Sequence, residues 1–267
     1  MIKFIACDMD GTLLDENKQL PANFEYVLTE LKKRGVIFAI SSGRQYDSID
    51  KMFESVRDKM YIIAENGACV YDDAGRCIVS EPLDKDGCAE IIGRVIDDPD
   101  MFVVVCGRKS AYGEAKNGPV LQYIVPYYIK YETVENAAEH SRTDDIYKIA
   151  VYDNLGSEQH CYPLLSDYYD SYNVLVSGDN WLDVMRADVT KGTAIRRVQE
   201  KLGIDRSECM AFGDFMNDYD MMKECEESYA MENAHPDLKA VCRHIAPPNY
   251  ENGVMRVICD VFDIKEK

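Results

Sequence analysis

Residues 2–14 read IKFIACDMDGTLL: a short apolar run over 2–7, then Asp8-Met9-Asp10-Gly11-Thr12-Leu13-Leu14. Six residues that stop abruptly at an acid suit a buried strand better than a helix. Two carboxylates at i and i+2 then leave the carboxyl end of that strand, where open α/β sheets bind their ligands. Gly11 permits a tight turn close to such a ligand. A bare Asp-x-Asp-Gly also reads as a solvated turn. The strand before it, Thr12-Leu13-Leu14 after it and its place at the first strand–helix junction favour a functional site.

Working outward, Pro21 suits a first helical position, Phe24, Val27, Leu28 and Leu31 recur at helical spacing, and Gly35 closes the helix behind Lys32-Lys33-Arg34. A second apolar run, 36–40, ends in Ser41-Ser42-Gly43-Arg44, which completes a strand–helix–strand unit of a parallel sheet. A third run, 61–64, ends in Glu65-Asn66-Gly67. The alternation returns near the C-terminus. Lys191-Gly192 opens a helix with Ala194, Ile195, Val198 and Leu202 on one face, stopped by Gly203, and strands follow at 209–212 and 228–231. A last helix is expected over 253–262.

Between 83 and 188 the texture changes. Strand-like pieces at 101–106, 146–152, 173–176 and 181–185 alternate with a few helices, and tyrosine becomes dense. This predicts an α+β insert (83–188) within an α/β domain made of 1–82 and 189–267. The Tyr-rich run 123–131 and Trp181 could stack a sugar or base, although aromatic residues at strand spacing more often serve a core.

The chemistry-bearing residues gather at strand ends. One carboxylate of the first cluster can attack an electrophilic phosphorus while its neighbour handles protons, and two like charges so close need a cation, which implies Mg²⁺. A second cluster, Gly213-Asp214-Phe215-Met216-Asn217-Asp218, follows another strand, although alone it reads equally as a turn and helix cap. Lys191 offers a point charge to a phosphoryl group, against the alternative of a surface lysine near a turn. Ser42 and Gly43 offer a hydroxyl and backbone N–H groups to a phosphate, or else a helix cap. Arg44 either clamps substrate or pairs with one of the many acids.

The composition narrows the classes further. With 30 basic against 48 acidic residues the chain carries −18, which argues against nucleic acid and anionic membrane surfaces as partners. No apolar stretch approaches the ~18 residues of a spanning helix, and the N-terminus is too short and too acidic for a signal peptide. Ten cysteines show no Cys-x-x-Cys, and the four histidines lie apart, so zinc is not expected and the thiols read as buried residues of a reducing cytoplasm. No Gly-x-Gly-x-x-Gly follows a strand, which leaves a nucleotide-binding dehydrogenase unsupported.

In this order the motifs resemble those of the haloacid dehalogenase superfamily: Asp8 to Thr12, Ser42, Lys191, and Asp214 with Asn217-Asp218. The finer pattern is similar to the Cof-like phosphatases, with Ser42-Gly43-Arg44, Asn66-Gly67-Ala68, Lys191-Gly192, Asn233-Ala234 and Glu251-Asn252-Gly253-Val254. The resemblance spans residues 8–254. It implies a Rossmann-like parallel-sheet core with an inserted α/β cap that selects substrate. It also implies Asp8 as nucleophile, Asp10 as general acid and then base, and Lys191 as the cation on the phosphoryl group. Gly11, Thr12, Ser42, Gly43, Arg44 and Asn217 would form the phosphate- and substrate-binding set. Asp8, Asp10 (through its backbone carbonyl), Asp214 and Asp218 would serve a Mg²⁺ ion. The expected activity is hydrolysis of a small phosphomonoester through an aspartyl-phosphate, by a cytoplasmic monomer or homodimer. A phosphomutase shares that intermediate, and a non-catalytic phosphate or metal sensor could dispense with Asp10.

Overall fold

The computed structural model describes residues 1–265. Strands β1 (Phe4–Asp8), β2 (Ile37–Ser41), β3 (Met60–Ala64), β4 (Cys69–Tyr71) and β5 (Cys77–Ser80) come first along the chain. Then come β6 (Met101–Gly107), β7 (Ala111–Glu114), β8 (Tyr131–Val134), β9 (Ile146–Asp153), β10 (Tyr172–Gly178) and β11 (Trp181–Arg186), followed by β12 (Cys209–Gly213), β13 (Glu227–Met231) and β14 (His244–Ala246). The chain divides into two compact units, one of residues 1–43, 50–79 and 190–267, the other of 44–49 and 80–189.

The first unit holds a sheet in the order β14-β13-β12-β1-β2-β3-β4-β5. From β14 to β3 neighbouring strands pair in parallel, and β4 turns antiparallel on β3. All five residues of β1 are buried, as a strand covered on both faces requires. From β1 the chain builds β2 and β3 on one side, and it later returns to build β12, β13 and β14 on the other. The reversal of strand order therefore falls between β1 and β12, the crevice in which open α/β sheets place ligands.

Helix Phe24–Lys33 buries Phe24, Val27, Leu28 and Leu31, the face that the spacing predicts. It starts three residues later than Pro21, because the Pro21 carbonyl accepts the Phe24 N–H (2.9 Å) in a turn that precedes the helix. Gly35 follows its end with φ +71°. Helix Lys191–Leu202 begins at Thr190, whose hydroxyl accepts the Thr193 N–H, and stops at Gly203 in the left-handed region. Leu202 does not join its buried face. Gln199 does, and it donates to the Glu224 carbonyl at 2.7 Å. The last helix spans Gly253–Phe262. The short strands β4, β5 and β14 fall below the length at which periodicity signals a strand.

The second unit is built on a sheet ordered β10-β11-β9-β6-β7-β8, antiparallel except for the β7–β8 pair. One face packs on helix Lys85–Val95 through Cys88, Ile91, Ile92 and Val95. The other carries Phe102, Val104 and Ala150 under Val120, Ile124 and Tyr128. Tyr123 and Tyr127 remain half exposed at its margin, where Tyr123 stacks on Tyr152 and Tyr127 meets Trp181 edge-on. Residues 44–49 group with this unit because the Gln45 amide pairs with both backbone groups of Lys130, and the Ser48 hydroxyl donates to the Tyr127 carbonyl. Among the described residues the cysteines form no disulfide, all but Cys77 and Cys242 are buried, and no helix is long and apolar enough to cross a membrane.

Candidate active site

Asp8 is the last residue of β1, and Asp214 directly follows β12, its parallel neighbour, so the sheet delivers both acids to the strand-order reversal. Asp8, Asp214 and Asp218 each bring a carboxylate oxygen within 4.8 Å of the others, which gives three hard oxygen donors that could hold a metal ion. Asp10 is not part of this carboxylate cluster. Its side chain is one-third exposed and accepts from Lys18 Nζ at 2.9 Å. The expected metal contact of Asp10 is a backbone carbonyl, which does not require its carboxylate in the cluster.

One cation enters the cluster. Lys191 Nζ lies 2.5 Å from Asp8 Oδ1 and 2.6 Å from Asp218 Oδ1, with Lys191 and Asp218 both inaccessible to solvent. Burial works against the lysine charge, yet Asp218 and Asp8 outweigh it and hold its pKa above the ordinary value. Burial pushes Asp8 up to about 8; Lys191 opposes this, and the Asp218 and Asp214 charges add to it. Asp214 is also raised, by burial and then by Asp218. Once all three carboxylates are ionised, one ammonium leaves two negative charges over, which a divalent cation matches.

The surrounding loops fix this geometry. Lys191 occupies the first turn of its helix. Gly192 allows the approach, since a β-carbon there would lie 2.6 Å from the Asp220 backbone. Gly11 has φ +85°, and a β-carbon on it would lie 2.3 Å from Asp214 Oδ2. The Thr12 hydroxyl donates to Asp214 Oδ1 at 3.0 Å, which makes Thr12 an orienting group for a metal-type ligand. Asp218 Oδ2 accepts the Asp214 N–H (3.0 Å) and that of Phe215 (3.3 Å), closing the loop on itself.

Ser42 follows β2, whose last residue Ser41 is in register with Asp8, and it is buried. Its backbone is pinned twice: its N–H donates to the Ile63 carbonyl and its carbonyl accepts the Asn66 N–H. Gly43 leaves room for the Asn66 amide, which a β-carbon would approach to 2.9 Å. Gly67 (φ +105°) brings the next turn against the Thr190 carbonyl, at the head of the lysine helix. Asn217 is exposed. Arg44 is half-buried and belongs to the segment that packs with the second unit.

Two asparagines complete the frame. Asn233 Nδ2 donates to the Gly11 carbonyl (2.8 Å) and Asn249 Nδ2 to the Leu14 carbonyl (2.8 Å), while Asn233 Oδ1 accepts the Asn249 N–H. Asn249 was not singled out in the sequence. The signal available for it was position, since it lies just beyond the end of β14 as Asn233 lies beyond β13.

Comparison with known proteins relates the whole chain to phosphatases and to a haloacid dehalogenase-like fold. The 5-amino-6-(5-phospho-D-ribitylamino)uracil phosphatase YbjI of Escherichia coli (strain K12) is 30% identical over 266 residues, 98% of this chain and 96% of that protein. Phosphatase YwpJ of Bacillus subtilis (strain 168) is 24% identical over 281 residues, covering 96% of this chain and 99% of that protein. The crystal structure of TM0651 from Thermotoga maritima superposes with a TM-score of 0.86 at 25% identity, over 100% of this chain and 99% of that one. The haloacid dehalogenase-like hydrolase family matches residues 5–258, and the chain belongs to it.

Proposed function

We propose that this chain is a Mg²⁺-dependent phosphatase that hydrolyses small phosphomonoesters through an aspartyl-phosphate on Asp8. The observation that carries this reading is the Asp8–Asp214–Asp218 cluster, with Asp8 and Asp218 buried and Lys191 as the cation bonded to both. Asp8 attacks the phosphorus, and the bond to the leaving oxygen breaks. Asp10 gives that oxygen a proton, and then takes one from the water that opens the acyl phosphate. Lys191 and the Ser42 hydroxyl hold the transferring oxygens in place. Thr12 and Asp218 keep Asp214 and Lys191 oriented. Bound by Asp8, Asp214 and the Asp10 carbonyl, Mg²⁺ would screen the phosphate charge from the nucleophile.

Residues 83–188, which fall inside the second compact unit (44–49 and 80–189), are assigned as the cap that selects the leaving group. Arg44, Gly43 and Asn217 are assigned to substrate contact. Two similar proteins are named for phosphorylated small molecules, the ribitylaminouracil phosphatase above and an HMP-PP phosphatase of Cronobacter sakazakii, 26% identical over 266 residues, 92% of this chain and 89% of that protein. This supports a small phosphorylated metabolite as the substrate class.

The test is phosphate release from p-nitrophenyl phosphate by metal-stripped and Mg²⁺-restored protein, followed by a panel of sugar, nucleotide and cofactor phosphates. Activity should vanish on chelation and return with Mg²⁺. Full turnover in chelator would overturn the assignment.

A further inference from the structure

Beside the N-terminal ends of β12, β13 and β14, at the end of the sheet opposite Asp8 and Asp214, lies a cleft of about 430 Å³. That volume is within the ~300–1,000 Å³ typical of small-molecule sites. Arg206, Lys223 and Arg243 line it against the single carboxylate of Glu226. Such an excess of cations is unusual on a chain with 48 acids and 30 bases.

Arg243 is already neutralised, since its guanidinium meets Glu226 at 3.1 Å and Glu227 at 2.9 Å. Arg206 and Lys223 are not. Arg206 is exposed and spends Nε on the Lys223 carbonyl (2.7 Å). The Lys223 ammonium sits 3.8 Å from the centre of the Tyr219 ring. Neither makes an ion pair among the described residues. Met222 and Val241 supply an apolar wall.

We propose that this cleft binds a phosphorylated small molecule, with the phosphate on Arg206 and Lys223 and the organic part against Met222 and Val241. Two cations without an ion-pair partner match a phosphate dianion in charge, and a guanidinium and an ammonium are the donors a phosphate takes. The cleft is connected to the catalytic end by its own elements. Arg206 leads into β12, which ends at Gly213 before Asp214, and Lys223 lies on helix Tyr219–Glu224, which starts directly after Asp218.

Calorimetric titration of the full chain with phenylphosphonate, and separately with inorganic phosphate, tests this. In chelator, where no metal-dependent binding contributes, the native protein should still bind one phosphonate. An R206A/K223A variant should bind it at least about tenfold more weakly, the loss expected for two charge-assisted contacts. An R206K/K223R variant should recover most of the affinity. The alanine variant should keep its thermal midpoint and its turnover of p-nitrophenyl phosphate, because neither residue belongs to the catalytic set. Tighter binding of phenylphosphonate than of inorganic phosphate supports the apolar wall, and equal affinity overturns that part. Identical binding by native and R206A/K223A protein, or none by either in chelator, overturns the site and leaves the catalytic reading untouched.

Discussion

Lys191 and Asp218 form a solvent-inaccessible pair at 2.6 Å, and the second oxygen of Asp218 is occupied by the Asp214 and Phe215 N–H groups. Asp218 thus secures the ammonium and the loop that carries Asp214. Asp8 meets the same lysine under different conditions, since burial has raised its pKa to about 8 and the neighbouring acids disfavour its charge.

The two aspartates should therefore respond in opposite ways to neutralisation. Asp218→Asn strips a buried lysine of one counter-charge, a change that costs about 3–5 kcal/mol when a buried pair is broken. Asp8→Asn removes a charge that the metal-free fold disfavours, so its stability should match or exceed that of the native chain. Denaturant unfolding of both variants in chelator checks this. Equal destabilisation would show that Asp8 and Asp218 share Lys191 on the same terms.

A pH dependence follows from Asp8. Its folded value of about 8 lies above the ~3.9 of an unfolded aspartate, so between the two the folded chain holds a proton that the unfolded chain has lost. The contribution of this group to metal-free stability is complete below the lower value and is lost as pH rises through the upper one. A divalent ion needs the ionised carboxylate, so its affinity should climb over the same window and its binding should release protons. Thermal midpoints with and without Mg²⁺ should diverge as pH rises from about 5 to about 8. A gap independent of pH would contradict the assignment.

Glycine substitutions separate strain from site damage. Gly11 and Gly35 both have positive φ, and a β-carbon on Gly35 would meet nothing within 4 Å. Gly35→Ala should lose about 1 kcal/mol of stability and keep metal binding. Gly11→Ala must displace the Asp214 carboxylate, so Mg²⁺ affinity should fall along with stability. Calorimetric Mg²⁺ titration of the two variants makes the comparison, and equal affinities would rule out a positioning role for Gly11.

The parallel sheet was legible because β1, β2 and β12 are short apolar runs that end at chemistry-bearing residues. Asp8, Asp214, Asp218 and Lys191 were legible for the same reason, each lying at a strand end or in a helix's first turn. Pro21 misled because a proline that suits a first helical position also suits the turn before one. Gln199 replaced Leu202 in the buried face because a backbone acceptor on the next helix satisfied its amide. Asn233 and Asn249 act on carbonyls more than 200 residues away in sequence, and no local pattern encodes such partners. The exposure of Tyr123 and Tyr127 was equally hidden, because both fall in short helical turns, Leu121–Ile124 and Val125–Tyr127, to which the strand spacing read from the sequence does not apply.

Asp10 stands apart from the carboxylate cluster, and its side chain is held by Lys18, so the two strand-end acids should fail in different ways. Asp8→Asn removes the attacking oxygen and should leave no covalent phosphoprotein with any substrate. Asp10→Asn keeps the nucleophile, the Asp8–Asp214–Asp218 cluster and the backbone carbonyl at position 10. What it loses is proton transfer, worth ~10²–10⁴-fold in rate. An aryl phosphate needs little protonation of its departing oxygen, so Asp10→Asn should lose less of the first step with aryl than with alkyl phosphates. Water would then lack its base, and the aspartyl-phosphate on Asp8 should accumulate. Single-turnover kinetics with acid-quenched phosphoprotein counts, run for both variants on both substrate types, give the answer. Equal losses everywhere, with no phosphoprotein from either variant, would mean that the nucleophile and the acid–base are not this pair.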